Sequence, residues 1–280
     1  MPSISPDIQS LGEALVALRR DLHAHPELAY AEHRTAQKVA GFLEGSGLAV
    51  RTGVGGTGVV ASLGSGRPTV LLRVDMDGLP IQEQTGASYA SQVPGAMHAC
   101  GHDGHVAMGA VAARALAARR PGGSVRLLFQ PAEEGEGGAQ AMVAEGVLDG
   151  VDVVLGVHLW NELPVGTLGV KAGPLMAAVD RLRIVVHGQG GHGGKPHRAA
   201  DPVVAAAHVV TALQAIVSRE VSPVAPAVVT LGSIHGGQAF NVIPDDVVLT
   251  GTIRTFDEEL RRSMPERITR IASGVAGAFR

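Results

Sequence analysis

His98, Cys100, His102, Asp103 and His105 fall within the eight-residue run HACGHDGH, between a Pro/Gly-containing loop and a helical segment. Thiolate, imidazole and carboxylate are the side chains that bind zinc, manganese and similar ions, and the glycines let the backbone fold tightly around one. The Cys-x-His spacing is too short for a zinc finger, and Cys100 is the only cysteine, so no second pair completes one. A lone histidine at a glycine-rich helix entry is more often a surface residue than a ligand. Five such groups together favour a metal.

Other strand-like runs end in polar groups of the same kind. TVLLRVDM ends in Asp75, with Asp77 two residues on; VRLLFQP leads into AEEGEGG, with Glu133, Glu134 and Glu136; VDVVLGVHLW reaches His158. In open α/β sheets ligands bind beyond the carboxyl ends of the strands, so these groups are expected on one rim. Adjacent glutamates alone would be a solvated turn. Three strand ends with such groups are what a metal-assisted hydrolase needs: ligands for the ions and a free carboxylate to deprotonate water. Gly53, Gly55 and Gly58 match GxGxxG, but the residues that follow, VVASLG, read as a strand. Without a helix N-terminus to receive a pyrophosphate, the dinucleotide reading fails.

The elements that must position these groups can be read from periodicity. Apolar residues at Ile8, Leu11, Leu15 and Leu18 predict a helix over 7–22, and a second is expected over 31–43. Strands at 59–63, 69–76, 125–131 and 151–159 alternate with helices at 104–118 and 138–145. The apolar runs at 70–75, 125–130 and 153–158 predict strands buried on both faces of a largely parallel sheet. Farther on, strands at 181–188, 227–237 and 246–256, a helix at 201–218 and a last helix with Asp257 as N-cap give βαββα, one strand short of a ferredoxin-like unit. The predicted domains are 1–176 and 177–280.

Composition bounds the rest. The 280 residues suit one large or two medium domains at about 150 residues each. With 45% hydrophobic and 18% charged residues the chain is not disordered. Aromatics are 3% and glycines number 38, so the core must be Val, Leu, Ile and Ala joined by tight turns. A net charge of −3 without a Lys/Arg block gives no charge-based reason for nucleic-acid or membrane binding; a small-molecule partner is expected. One cysteine suits a reducing compartment. The N-terminus shows no signal-peptide pattern, and no uninterrupted apolar run approaches the roughly 18 residues of a membrane span. A soluble cytoplasmic protein is the expectation.

The segments RRDLHAHPEL, RVDMDGLPIQE, MHACGHDGH, FQPAEEGEGGA, GVHLW, GQGGHGGKPH, AFNVIPD and GTIRTF follow one another from about residue 15 to the end. In this order they resemble the aminoacylase and carboxypeptidase G superfamily of co-catalytic metallohydrolases, and most closely its hippurate hydrolase and indole-acetyl-amino-acid hydrolase branch. The resemblance implies a three-layer αβα catalytic domain with a largely parallel sheet and a ferredoxin-like α+β lid that also forms a homodimer. It implies two divalent ions per site, manganese or zinc, with Cys100, His102, Glu134 and His158 as ligands and Glu133 as general base. Where many relatives have His-x-Asp, this sequence has Arg73-Val74-Asp75, as is typical of the branch that uses the cysteine ligand. Asp75 would then orient a neighbouring ligand.

In the second domain the resemblance implies that His192 reaches the partner subunit's active site and that Asn241 and Arg254 grip the substrate. His197 shares the Pro-His motif without a defined role, and His23 and His25 are read as a structural helix-end cluster. The family runs further than this chain, with a last lid strand, a return to the first domain and one more histidine ligand. The expected activity is hydrolysis of N-acyl amino acids to a carboxylic acid and an amino acid, the alternative being a truncated, non-catalytic metal-binding or dimerisation relative.

Overall fold

In a computed structural model the protein is described from Ile4 to Phe279 and divides into two compact units, Met1–Leu168 and Gly169–Arg280. The first unit runs α1 (Pro6–Gln9), α2 (Gly12–Ala24), α3 (His33–Leu43), β1 (Ala49–Val54), β2 (Gly58–Leu63), β3 (Thr69–Asp75), α4 (His102–Arg119), β4 (Ser124–Gln130), α5 (Gly138–Ala144) and β5 (Val153–Gly156). The strands form one sheet in the order β1-β2-β4-β3-β5.

Alternation along the strands builds two cores. Val59 and Ala61 of β2, Val74 of β3, and Leu127 and Phe129 of β4 pack with Leu22, Val39 and Val106 from α2, α3 and α4. The intervening Val60, Leu71 and Leu128 face the other way, against Met142 of α5 and Val147. The central strands β2, β4 and β3 are therefore covered on both faces, giving the α/β class and the layered arrangement expected. Helix α4 lies close to the sheet because it is rich in small residues: a Cβ at Gly109 would come within 3.0 Å of the Val74 side chain.

The sheet is mixed. β3 runs parallel to β4 and β5, but β2 is antiparallel to both β1 and β4. The additional strand β1 forms a hairpin with β2 across the glycines at 53, 55 and 56, all with positive φ, so the GxGxxG match is a hairpin turn followed by a strand. β5 also departs from expectation. It is shorter than 151–159, pairs only with β3 at the sheet edge, and all four of its residues are exposed. An apolar run reports what a strand can bury, and here the described residues supply no layer over it.

The second unit contains β6 (Ala178–His187), β7 (Gly191–His192), α6 (Pro202–Ala215), β8 (Ala227–His235), β9 (Val242–Ile243), β10 (Asp246–Thr255) and α7 (Glu258–Ala278). Its main sheet has the antiparallel order β6-β10-β8, with α6 and α7 packed over one face. The βαββα succession is the expected one. Asp257 caps α7 by accepting the Leu260 N–H at 2.7 Å, and Asp201 caps α6 in the same way through Val203 and Val204. With its continuation to Glu220, α6 is long and apolar enough to span a membrane, at a mean hydropathy of 1.3. Its buried stripe, Ala205, Val209, Leu213 and Ile216, packs against Leu182, Val229 and Leu249 of the sheet, as a core helix does.

Candidate metal centre

Three strand ends and one helix start meet at the carboxyl rim of the first unit. Asp75 closes β3, with Asp77 just beyond it; the chain leaving β4 turns at Pro131 into Glu133 and Glu134; the chain leaving β5 reaches His158. Cys100 precedes Gly101, whose φ of 87° is the left-handed conformation that lets the loop turn directly into α4 at His102.

His102 is the hub. Its Nδ1 donates to the Asp77 carbonyl at 2.8 Å, and a carbonyl can only accept, so the neutral ring carries its lone pair on Nε2. That Nε2 is buried without a hydrogen-bond partner among the described residues. Around it lie Asp75 Oδ1 at 3.7 Å and Glu133 Oε2 and Glu134 Oε1, each at 3.9 Å. His158 is set up alike: its Nδ1 donates to the Leu159 carbonyl at 2.6 Å, leaving Nε2 to face Cys100 Sγ at 3.4 Å. Cys100, His102 and His158 form one group of convergent donor atoms; His102, Glu133 and Glu134 form a second; and the buried Asp75, His102 and His105 form a third, in which both His105 ring nitrogens are already engaged. Ligands about 2.0–2.3 Å from one tetrahedral ion lie roughly 3.3–3.8 Å apart, close to these spacings.

The electrostatics suit a cation. Burial works against a charge on His102, yet Asp77, Cys100 and Asp75 outweigh it and push its pKa up to about 11. Surroundings that hold a proton so firmly would hold a divalent cation in its place. Burial, then the charges of Glu134 and Asp75, push the Glu133 carboxyl above the usual range, a crowding of anions that a cation relieves. Burial would raise Asp75, but His105, His102 and Arg73 hold it down at about 2, so it remains an anion.

Asp75 and His105 pair with each other beside these donor atoms. His105 Nδ1 donates to Asp75 Oδ1 at 2.6 Å, while its Nε2 accepts the Leu159 N–H at 2.8 Å. With both ring nitrogens engaged, His105 braces the backbone beside His158. Asp77 accepts the Glu134 N–H at 3.0 Å, tying the glutamate turn to the His102 side of the site. His105→Phe should weaken divalent-metal binding by about 10- to 100-fold, the usual weight of such supporting contacts, in a metal-buffered titration. Unchanged affinity would show that His158 needs no brace.

The rest of the HACGHDGH cluster turns away. Asp103 is fully buried against Arg19 Nε and His23 Nδ1, both at 2.8 Å, and His23 also meets Glu83 at 3.3 Å. His98 lies buried beside His23, its pKa pushed down to about 4 chiefly by desolvation. Glu136 is exposed and in none of these groups. His25 Nδ1 bonds the Asp21 carbonyl at 2.8 Å, as a helix-end group would. Sequence reading put Asp77 and His105 near the chemistry but gave neither a role; their position between the segments that carry the candidate donor groups was the available signal.

In the second unit, His192 and Asn241 are neighbours. β7 pairs with β9, and the Gly193 N–H donates to the Asn241 carbonyl at 2.8 Å. His192 Nδ1 accepts the Gly194 N–H at 2.9 Å, so the neutral ring presents Nε2–H as a donor. Arg254 is exposed on β10 between Val179 and Val228, on the sheet face opposite the buried Ile253 and Thr255. His197 is exposed in the single turn Pro196–Arg198.

Three donor sets sharing one histidine, at the strand ends of an α/β sheet, mark the class of metal-dependent hydrolases. The chain belongs to peptidase family M20/M25/M40, whose model matches residues 71–261. It is 44% identical over 277 residues to an N-acetyl-L-cysteine deacetylase of Bacillus subtilis, covering 98% of this chain and 67% of the relative. It is 48% identical over 269 residues to an N-acyl-L-amino acid amidohydrolase of Geobacillus stearothermophilus, covering 94% and 73%. A crystal structure of a Bacillus subtilis dinuclear metal binding peptidase of the M20 family superposes with a TM-score of 0.78 at 41% identity, covering 97% of this chain and 72% of that one.

Proposed function

We propose that this hydrolase cleaves the amide bond of N-acyl amino acids, releasing a carboxylic acid and a free amino acid. The observation that carries the reading is the buried, unpaired His102 Nε2 between a Cys/His and a Glu/Glu donor set. The named activities of the deacetylase and the amidohydrolase supply the substrate class. Cys100, His102, Glu134 and His158 are assigned as holding two divalent ions, manganese or zinc. When bound, such ions polarise an amide carbonyl and acidify water.

The chain's own groups do the remaining work. Glu133 takes a proton from the attacking water as its oxygen bonds to the carbonyl carbon. It then passes that proton to the amide nitrogen as the C–N bond breaks. Glu133 suits this role because it is the more exposed of the two glutamates, 39% against 27% for Glu134. Arg254 and Asn241 are assigned to the substrate's carboxylate end, where a guanidinium can bind both oxygens. A panel of N-acetyl, N-benzoyl and indole-acetyl amino acids, assayed with manganese and with zinc, tests the reading and includes hippurate as one member. Turnover of dipeptides with a free amino terminus and of no N-acyl amino acid would overturn it.

His192 is proposed to act in the site of a partner subunit in a homodimer built through the second unit; its exposure and free Nε2–H support this. Mixing inactive Glu133→Gln and inactive His192→Ala proteins should then regenerate activity, because a mixed dimer holds one site with both residues intact. Subunit exchange is followed independently with two affinity tags. Confirmed exchange without recovery would place His192 within its own chain's site or outside the chemistry. A cytoplasmic setting is proposed because Cys100 can serve as a ligand only while its thiol is reduced.

A further inference from the structure

Glu32 is a fully buried carboxylate with no part in the donor sets just described. It stands at the N-cap position of α3 but does not cap that helix: Glu27 does, accepting the Arg34 N–H at 3.0 Å and the Thr35 N–H at 2.8 Å. Glu32 instead reaches the end of β4. Its Oε1 accepts the Ala132 N–H at 2.8 Å, and its Oε2 accepts the Thr57 hydroxyl at 2.5 Å. Ala132 has a φ of 51°, a left-handed backbone that residues with a Cβ rarely adopt and that persists only where the surroundings enforce it.

That strained residue immediately precedes Glu133 and Glu134. The turn is held from three sides: by Glu32 at the Ala132 N–H, by the Gly138 N–H on the Ala132 carbonyl at 3.2 Å, and by Asp77 at the Glu134 N–H. Gly138 is itself required, since a Cβ there would lie 1.8 Å from the Pro131 carbonyl oxygen. Of the three anchors, only Glu32 brings an acidic side chain from a distant helix into the core to engage the strained residue. We propose that Glu32 is a positioning residue for the catalytic glutamate: by accepting the Ala132 N–H it holds the left-handed turn that aims Glu133 at the reaction site. This rests on the assignment of Glu133 as the base.

Glu32→Gln keeps an acceptor for Ala132, and its amide can donate to the Thr57 oxygen, so it should retain at least about half of kcat. Glu32→Met removes the acceptor. It should lower kcat by about tenfold or more, the scale of small misplacements of a reacting group, with KM and bound metal unchanged. Amide hydrogen exchange in the peptide spanning 131–136 should speed up in Glu32→Met and not in Glu32→Gln. Adding Ala132→Gly, which adopts the left-handed turn without strain, should restore kcat of Glu32→Met by about threefold or more.

Wild-type kcat per metal-loaded molecule in Glu32→Met, or equal losses in Glu32→Gln and Glu32→Met without rescue by Ala132→Gly, would overturn the proposal. If Glu32→Met does not fold, Thr57→Val carries the test, because it loosens Glu32 without orphaning the Ala132 N–H. A fall in kcat of about threefold is expected there, and an unchanged kcat overturns the proposal. Glu133→Gln serves as the reference: if that variant stays active, the assignment of the base has failed, whereas an inactive Glu133→Gln beside unaffected Glu32 variants rejects the positioning role alone.

Discussion

Glu133→Gln should keep its metal and its fold but lose at least about 100-fold in kcat, or about 2.7 kcal/mol of transition-state stabilisation. An amide at this position has nearly the shape of the carboxylate and can still accept a hydrogen bond, but it cannot take a proton from water. Glu134→Gln makes the complementary case. Its N–H remains tied to Asp77, so the turn is kept, while the loss of a charged oxygen beside His102 should weaken metal binding first and activity as a consequence. Metal content by mass spectrometry, with kcat at saturating metal, separates the two. Since both carboxylates stand 3.9 Å from His102 Nε2, distance alone does not rank them. Interchanged phenotypes would reverse the roles of the adjacent glutamates.

Much of this arrangement was legible in the sequence because it depends on short-range pattern. Continuous apolar runs located β3 and β4, the end of each run located Asp75 and the glutamate pair, and HACGHDGH located the helix entry. What was not legible depends on tertiary pairing. The sequence already set aside a phosphate loop at the glycines 53–58 because a strand follows them, but it did not show that this strand, β2, inserts antiparallel between β1 and β4. The edge position of β5 is equally invisible in an apolar run, which looks the same whether or not a layer covers it.

The division of labour within HACGHDGH illustrates the same limit. Composition suggested one cluster of five, but helical geometry sends Asp103 toward His23 and Arg19, while His102 faces the strand ends. His105, one turn after Gly101, becomes a brace because the Leu159 N–H meets one ring nitrogen and Asp75 the other. Glu32 carried no local signal: an acid near the start of a helix reads as a cap, and only the structure shows Glu27 taking that task. Supporting residues are hard to read because their partners are distant in sequence; 100 positions separate Glu32 from Ala132.

Arg254→Ala should raise KM for N-acyl amino acids by about ten- to a hundredfold, while carboxyl-amidated analogues of the same substrates lose much less. A hydrogen bond to a charged group contributes on the order of 1.5–3 kcal/mol, which sets this range. The placement of Arg254 supports a binding role over a structural one. It projects from the middle strand of a three-stranded sheet, yet it is exposed, and no salt bridge among the described residues occupies it. Arg261, by contrast, is held by Asp180 through two hydrogen bonds of 2.7 Å and is committed to the fold. An arginine on an exposed sheet face between Val179 and Val228 can offer its planar fork to a carboxylate. Arg254→Lys distinguishes charge from geometry: a lysine keeps the charge but loses the two-pronged contact, so an intermediate KM is expected. Equal losses on free and amidated substrates would remove the carboxylate from the role of Arg254 and leave this arginine with a general effect on the second unit.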